Sequence, residues 1–235
     1  MFNRLLSSYV GFFGSINAKR QRLYNNAPKG ALKDFLAVPF PQPSTPFEQV
    51  PILAVDFETT GLNAVNDKLL SVGYVNMQNK QIKLGQSYHQ VINTGQKLKT
   101  DNVLIHRITD AQQAQGEPLE TVVENLLQAL AGKVMLVHFA RIERQFLQQA
   151  CLELYGLAPV FPIIDTLALA KRRLDKRDIA YDPSELRLAN LRTHYHLPNH
   201  FAHNALNDAV ATAELLLAQL SDQHQEKTPL KALLF

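Results

Sequence analysis

Two acidic residues separated by one position, Asp56 and Glu58, stand at the end of the apolar run Ile52–Phe57. If this run is a strand, its side chains alternate, so both carboxylates project from the same face. Neighbouring carboxylates repel and raise each other's pKa unless a cation lies between them. Hard divalent cations with oxygen ligands are the usual solution. An exposed acidic turn after a strand is also common, so the pair alone is weak evidence for a metal site.

A histidine and an aspartate five positions apart, His203 and Asp208, form a second candidate pair. Asparagine caps helices well, and an apolar stripe follows, so a helix is predicted to begin between Asn204 and Asn207. Asp208 would lie in its first turn, with His203 on the entering loop, and the pair could hold a metal and reach an attacking water. On this pair alone, a loop histidine satisfied by the backbone and a favourable charge at a helix N-terminus are the better explanation.

A third acid, Glu143, follows the short apolar run Val134–Val137 in the segment His138–Glu143. The amphipathic pattern predicts a helix here, with Glu143 one turn into it. A solvated helix residue paired with Arg144 is the alternative interpretation.

The elements that must position these acids alternate between apolar strands and amphipathic helices, which predicts an α/β fold with a mixed sheet. Strands are predicted at Ile52–Phe57, Leu69–Met77, Gln81–Ile92, Val134–Val137 and Ile163–Ile164, and helices at Pro118–Leu130, Arg141–Leu154, Asp165–Arg173, Ser184–His194 and Ala205–Leu220, with a short one at Asp101–Ile108.

Four domain segments are predicted. Residues 1–36 form a basic N-terminal helical extension, 37–50 a proline-rich linker or surface arm, 51–220 the main domain, and 221–235 a C-terminal tail. The linker holds four prolines, which favour extended backbone. The basic, acid-free start of the chain also resembles a mitochondrial presequence, but a helix packed on the domain is preferred.

The bulk composition restricts the class of protein. The chain has 235 residues, of which 46% are hydrophobic and 19% charged, with a net charge of +3. These values fit a globular protein, and an anionic partner is compatible with the charge but not required. Cys151 is the only cysteine, so a disulfide or cysteine-rich zinc site is excluded within the chain and a reducing, cytoplasmic setting is expected. No segment is apolar and long enough to predict a membrane span.

The order of these motifs resembles the DnaQ-like exonucleases of the DEDD superfamily, in the subgroup with a catalytic histidine. Asp56–Gly61 (DFETTG) is similar to the first motif of that family, and His203–Ala209 (HNALNDA) to the third. Ile105–Thr109 (IHRIT) and Asp165–Ala170 (DTLALA) resemble two supporting segments. The resemblance covers about residues 51–220 and implies a ribonuclease H-like mixed five-stranded sheet flanked by helices.

The resemblance also implies a mechanism, 3′→5′ hydrolysis of phosphodiesters assisted by two divalent cations, Mg²⁺ or Mn²⁺. Asp56 would bridge both cations, Glu58, Asp208 and Glu143 would complete their coordination, and His203 would take the proton from the attacking water. Substrate contacts are expected from Thr59, Thr60, Gly61, Leu62, His106 and His138. The basic run Lys171–Arg177 is a weaker candidate for phosphate contacts.

Two departures from the family pattern matter. The second motif, usually H-N-A-x-F-D, is HFARIE here, with Phe139 in place of asparagine and Glu143 in place of aspartate. Arg107 replaces a glycine of the family. The longer glutamate side chain still reaches a metal but holds it more loosely, so lower activity or a shifted metal preference is expected.

Several alternatives stay open at this level. The substrate is the 3′ end of a single-stranded nucleic acid, with DNA favoured over RNA, or the chain is a catalytically weakened module that binds nucleic acid or a polymerase. The tail Pro229–Phe235 resembles a sliding-clamp peptide that lacks its usual glutamine, with Lys231 near that place, although folding back onto the domain is preferred. The oligomeric state is left open.

Overall fold

The computed structural model describes residues 16–96, 106, 108–221 and 228–235 of the chain. Residues 1–15, Arg107, most of the helix expected at Asp101–Ile108, and residues 222–227 of the tail lie outside this part. Among the described residues, no helix is both long and apolar enough to cross a bilayer.

Five strands form one mixed sheet in the order β3-β2-β1-β4-β5. Their bounds are Ile52–Thr59 (β1), Leu69–Gln78 (β2), Gln81–Val91 (β3), Val134–Val137 (β4) and Ile163–Asp165 (β5). Strands β1, β4 and β5 run parallel, whereas β2 is antiparallel to both β1 and β3. The predicted α/β fold with a five-stranded mixed sheet is therefore confirmed.

Helices cover both faces of this sheet. They are residues 16–26 (α1), Ala31–Ala37 (α2), Asp110–Ala114 (α3), Leu119–Leu130 (α4), Arg141–Tyr155 (α5), Thr166–Lys176 (α6), Leu188–His194 (α7) and Ala205–Ser221 (α8). The helix predicted at Ser184–His194 is instead a 3₁₀ turn, Pro183–Leu186, followed by α7, because Arg187 between them has extended backbone.

The side chains of β1 alternate between two separate cores, as a strand buried on both faces requires. Leu53, Val55 and Phe57 pack into the larger core, together with buried residues of α2, α4 and α5. Ile52 and Ala54 pack into the second core, which buries the apolar stripe of α8. Since Asp56 and Glu58 have the parity of Ala54, they lie on the face that α8 covers.

The close approach of α8 to the sheet depends on Gly73 in β2. A Cβ atom at this position would lie 2.1 Å from the backbone nitrogen of Leu206 and 2.2 Å from the carbonyl carbon of Ala205. The first turn of α8 therefore rests directly on the β2 backbone. In the β1–β2 register, Gly73 faces Asp56.

The segments flanking the central domain are packed into the same structure. Leu32, Phe35 and Leu36 of α2 are buried in the larger core, and Phe40, Phe47 and Val50 of the proline-rich segment are buried as well. The structure thus corrects the linker interpretation of residues 37–50 in favour of the arm interpretation, because three apolar anchors hold this segment on the domain.

The C-terminal residues extend the edge of the sheet. Leu234 forms an antiparallel bridge with Ile164 of β5, and the amide of Phe235 donates to the carbonyl of Ile163 at 2.9 Å. Leu230, Leu233 and Leu234 are buried. Because its apolar side chains lie in the second core, this segment folds back on the domain and is not presented as a clamp peptide.

Candidate active site

The first two carboxylates lie where β1 leaves the regular sheet. The ladder between β1 and β2 is irregular between Glu58 and Thr59, which pair with Ser71 and Leu69. Such bulges re-aim side chains and are common beside active sites. The side chain of Glu58 is buried, and its Oε2 pairs with Nδ1 of His106.

Helix α8 brings a third carboxylate to this pair. Asp56, Glu58 and Asp208 each offer an oxygen within 4.8 Å of the oxygens of the other two. Strand parity and the predicted start of the last helix indicated that these carboxylates would lie close together. The contact of α8 with Gly73 explains how Asp208 comes close to Asp56 and Glu58.

The electrostatics of the cluster penalise its negative charges. Burial, together with the nearby charges of Glu143, Asp208 and Glu58, holds the pKa of Asp56 well above its usual range. Burial also raises the pKa of Asp208, although the neighbouring His200 opposes that shift. Carboxylates held together at this cost are typical of a site that receives a cation.

Glu143 lies in the first turn of α5, outside the group of three but near enough to raise the pKa of Asp56. Its side chain is buried, so the alternative of a solvated residue paired with Arg144 is wrong. Burial, with a smaller contribution from the charge of Asp165, holds the pKa of Glu143 well above its usual range.

Asp165 fixes the start of α5 and therefore the position of Glu143. Its Oδ2 accepts from the amide of Ala140 at 2.9 Å, and its Oδ1 accepts from the amide of Phe139 at 3.0 Å. Oδ1 also caps α6 through the amide of Leu167 at 2.9 Å. An acid directly before a helical run is a signal for such a cap, but its second set of contacts was not predictable.

Two histidines contact Asp208 through different atoms. The backbone amide of His203 donates to Oδ2 at 2.9 Å, and His203 has a positive φ of 65° with an exposed side chain. Nε2 of His200 lies 2.8 Å from Oδ1. His200 stands in none of the sequence motifs, and its spacing from Asp208 gives no signal that would identify it.

A cavity of about 250 Å³ lies beside the carboxylate cluster. Glu58, His106 and His203 all line it, together with Phe201. The rings of His106 and His203 are 6.4 Å apart, centroid to centroid, in an edge-to-face arrangement. The structure therefore gathers the predicted residues His106 and His203 around one cavity that adjoins Glu58.

The loop after β1 is held by local hydrogen bonds while it exposes an apolar side chain. Oγ1 of Thr59 donates to the carbonyl of Gly61 at 2.7 Å, and the amide of Thr60 donates to the carbonyl of Lys68 at 2.9 Å. Oδ2 of Asp67 accepts from the amide of Asn63 at 2.9 Å. Leu62 is 73% exposed at the tip of this ordered loop.

His138 does not fit the role expected from the sequence. Its Nδ1 lies 2.8 Å from Oγ1 of Thr166, and its Nε2 lies 3.0 Å from the carbonyl oxygen of Leu186. Burial lowers the pKa of this histidine to about 4. Since both ring nitrogens contact protein groups, the ring joins β4 to its neighbours and keeps no nitrogen for a substrate.

Phe139, the residue that replaces the family's asparagine, has a positive φ of 78° and a ring that is 42% exposed. This left-handed conformation is uncommon for a bulky side chain, whereas asparagine tolerates it. Two carboxylate contacts of Asp165, at Phe139 and at Ala140, hold the backbone in place.

Much of the basic run Lys171–Arg177 is engaged within the protein. Lys171 pairs with Asp175, Arg172 donates to the carbonyls of Leu233 and Leu234, and Arg173 donates to the hydroxyl of Tyr195. These contacts support a structural role for the three residues.

The residues of the cluster fit divalent cations. Oε1 of Glu58 and Oε2 of Glu143 are buried without a hydrogen-bond partner among the described residues. Buried polar atoms normally have hydrogen-bond partners. Two buried carboxylate oxygens without such partners, beside a cluster of carboxylates, therefore fit a site that binds a cation. The donor set consists of carboxylates, which suit Mg²⁺ and Mn²⁺ rather than softer metals.

The mixed five-stranded sheet and the carboxylates at the end of its central strand define a ribonuclease H-like nuclease. Residues 53–216 match the family model described as RNase_T: Exonuclease, and the chain belongs to this exonuclease family.

Two curated relatives carry polymerase names. The PolC-type DNA polymerase III of Thermotoga petrophila is 32% identical over 171 residues, which cover 73% of this chain but 12% of that protein. The DNA polymerase III subunit epsilon of Treponema pallidum is 28% identical over 175 residues, which cover 74% of this chain and 78% of that subunit.

A solved structure shares the fold. The nuclease domain of 3′hExo, a DEDDh family member bound to rAMP, superposes with a TM-score of 0.64 at 15% identity. The superposition covers 79% of this chain and 98% of that domain.

Proposed function

We propose that this protein is a metal-dependent 3′→5′ exonuclease that removes nucleoside monophosphates from the 3′ end of single-stranded nucleic acid. The observation that carries this proposal is the group formed by Asp56, Glu58 and Asp208, whose oxygens lie within 4.8 Å of one another. Membership of the exonuclease family gives the reaction class.

Asp56, Glu58 and Asp208, with Glu143 beside them, would hold two divalent cations, Mg²⁺ or Mn²⁺. When bound, these cations stabilise the charge that develops on the phosphate and on the leaving oxygen. The carboxylates would hold these cations in place, because without cations their negative charges would repel the phosphate. A bound cation would lower their raised pKa values and so favour the charged carboxylates.

His203 is the proposed general base. Its exposed ring lies on the loop that enters α8, and its own amide is anchored to Asp208 at 2.9 Å. Histidine is the residue that most often serves as a general base, so the ring of His203 would accept the proton of the attacking water. Because this anchor is made by the backbone amide, it uses neither ring nitrogen of His203.

The proposed contacts to the terminal nucleotide come from the loop after β1 and from His106. The ordered loop at Thr59–Gly61 offers backbone groups, and the exposed side chain of Leu62 offers an apolar surface to a base or sugar. Nδ1 of His106 pairs with Oε2 of Glu58, and both residues line the cavity, so the ring of His106 would lie close to the phosphate of the terminal nucleotide.

We propose DNA as the preferred substrate of the protein, because the PolC-type and epsilon relatives carry DNA polymerase names. RNA is the alternative, since the 3′hExo domain is bound to rAMP. The same relatives support a replicative polymerase as a partner. A sliding clamp is a weaker candidate, because the leucines of the tail are buried on the domain.

One assay tests the proposal. Single strands of DNA and of RNA carry a label at the 5′ end and are incubated with Mg²⁺ or Mn²⁺, and the products are separated by length. We expect a ladder that shortens from the 3′ end, and complete loss of activity in chelator or in Asp56→Ala; a second strand labelled at its 3′-terminal nucleotide should release that label as a monophosphate. A strand that is cut internally, or an Asp56→Ala protein of full activity, would contradict the proposal.

A further inference from the structure

A groove lies along the exposed side of α5, the helix that carries Glu143 in its first turn. It consists of two depressions, of about 420 Å³ and 380 Å³, that share the side chains of Gln145 and Gln148. The first lies between the loop after β1 and α5 and is lined by Leu62 and Arg141. The second lies between α1 and α5 and is lined by Lys19 and Arg144. We call the two together the α5 groove.

The lining of the α5 groove is basic and amide-rich. Its cations are Lys19, Arg141 and Arg144, and none of the described residues that line it is acidic. The second depression also has an apolar wall formed by Ile16, Val160 and Phe161. Cations and amide donors beside an apolar wall match a polymer of phosphates, sugars and bases.

The position of the groove relates it to the active site. Arg141 precedes Glu143 by two residues at the start of α5, and Leu62 belongs to the loop that follows Asp56 and Glu58. From Arg141 to Gln148, α5 rises about 10 Å, at about 1.5 Å per residue. At about 3.4 Å per stacked nucleotide, this distance corresponds to about three nucleotides.

We propose that the α5 groove binds the nucleic-acid strand upstream of its 3′ end, with Lys19 and Arg144 as contacts to backbone phosphates. This inference rests on the proposed function, because it places the 3′ end at the carboxylate cluster. Lys19 lies outside residues 53–216, which match the exonuclease family, so this contact is an addition made by the N-terminal helix α1. A nucleic acid fits better than an acidic peptide because the groove is lined by the loop after β1 and by the first turn of α5, and β1 and α5 also carry carboxylates of the candidate active site.

The test compares substrates of two lengths. Activity is measured as kcat/KM on a single strand of about twenty nucleotides, which is long enough to cross the groove, and on a dinucleotide, which has one nucleotide beyond the 3′-terminal one and cannot cross it. In the double variant Lys19→Glu/Arg144→Glu, we expect the preference for the long strand to fall at least tenfold, through a higher KM. Lys29→Glu is the matched control, since Lys29 is exposed and does not line the groove.

A binding measurement separates the groove from catalysis. Fluorescence anisotropy with the long strand in chelator should show weaker binding by the double variant. The slope of log Kd against log salt should fall by about 1.4, since about 0.7 is expected for each of the two phosphate contacts removed from a single strand. Arg144 also lies over the ring of Phe235, at 5.7 Å, so Lys19→Gln alone provides a second variant that leaves this contact intact.

The outcomes distinguish the two proposals. The groove proposal is overturned if the double variant and Lys19→Gln both keep the length preference and the anisotropy of the wild-type protein. It is also overturned if the double variant loses kcat/KM equally on both substrates. If the wild-type protein binds the long strand but hydrolyses neither substrate, the proposed function fails, while weaker binding by the variants still supports the groove. Loss of binding to a polymerase subunit without loss of binding to the strand assigns the groove to a protein and overturns the inference.

Discussion

Gly73 faces Asp56 across the antiparallel ladder of β1 and β2, and the first turn of α8 lies directly on Gly73. The missing side chain lets the backbone of Leu206 approach β2 closely enough for Asp208, two residues later, to share a cluster with Asp56. The geometry of the candidate metal site is therefore set by a glycine that has no chemical role.

Replacing Gly73 by alanine should damage both stability and activity. The added Cβ would meet the backbone of Ala205 and Leu206 rather than a flexible side chain, so α8 must shift. We expect a loss of about 1–3 kcal/mol in the free energy of unfolding, as for other overpacked sites, measured by urea denaturation. Because the shift also moves Asp208, kcat should fall by more than tenfold.

Gly85→Ala on β3 is the matched control, since a Cβ at Gly85 would have no heavy atom within 4 Å. If Gly73→Ala and Gly85→Ala have the same free energy of unfolding and the same kcat, the close approach of α8 is not what positions Asp208.

Replacing Asp56 by asparagine should abolish hydrolysis but stabilise the metal-free protein. The pKa of Asp56 is raised by burial and by neighbouring carboxylates, so the folded state binds its proton more tightly than the unfolded state does. The free energy of unfolding of the metal-free protein should then fall as the pH rises from the ordinary pKa of an aspartate toward the raised pKa of Asp56. Asparagine does not titrate, so the substitution removes this loss. Thermal melting in chelator measures it, with about 2–4 °C expected per kcal/mol gained.

Two comparisons control this experiment. Glu124→Gln changes an exposed acid on α4 and should leave the melting temperature in chelator almost unchanged. Addition of Mn²⁺ should raise the melting temperature of the wild-type protein and not that of Asp56→Asn. A lower melting temperature for Asp56→Asn in chelator would show that the cluster is not under electrostatic strain.

The buried ring of His138 should make the protein sensitive to acid. Burial lowers its pKa from 6.5 to about 4, so the folded state binds fewer protons than the unfolded state between these values. The stabilisation is present above about pH 6.5 and is lost as the pH falls toward 4, with a magnitude of about 3 kcal/mol. Urea unfolding at several pH values in this window measures the slope.

His138→Gln isolates the contribution of this ring, because glutamine does not titrate and offers hydrogen-bonding groups of its own to Thr166 and Leu186. The variant should lose stability less steeply on acidification than the wild type. Parallel slopes for the two proteins would mean that other groups account for the acid sensitivity.

The sequence allowed the sheet and the main carboxylates to be predicted because their signals are local. Strand parity gave the common face of Asp56 and Glu58, and capping chemistry gave the start of α8 near Asp208. The contact of α8 with Gly73, the double role of Asp165 and the contact of His200 with Asp208 depend on tertiary packing. Neither parity nor spacing carries such information.

The same limit explains the interpretations that needed correction. His138 stands in a motif segment, yet the structure occupies both of its ring nitrogens, at Thr166 and at Leu186. Proline content indicated an extended segment at residues 37–50 but not that Phe40 and Phe47 anchor it in the two cores.

The two histidines that contact Asp208 should have separable roles. His200 contacts the carboxylate through its ring at 2.8 Å, whereas His203 contacts it only through its backbone amide. His200→Ala should therefore weaken Mn²⁺ binding by about 10–100-fold, as is typical when a partner of a metal ligand is removed. His203→Ala should lower kcat by about 10²–10⁴-fold, as for loss of a general base, and leave Mn²⁺ affinity nearly unchanged.

Mn²⁺ affinity measured by calorimetry, alongside kcat at saturating Mn²⁺, distinguishes the two roles. His200→Gln should recover much of the lost affinity because its amide can still donate to Oδ1 of Asp208, whereas His203→Gln should stay slow because an amide does not accept the proton of water. If His200→Ala binds Mn²⁺ normally and loses kcat while His203→Ala does the opposite, the general base is His200, and the assignment taken from the sequence motif must be exchanged.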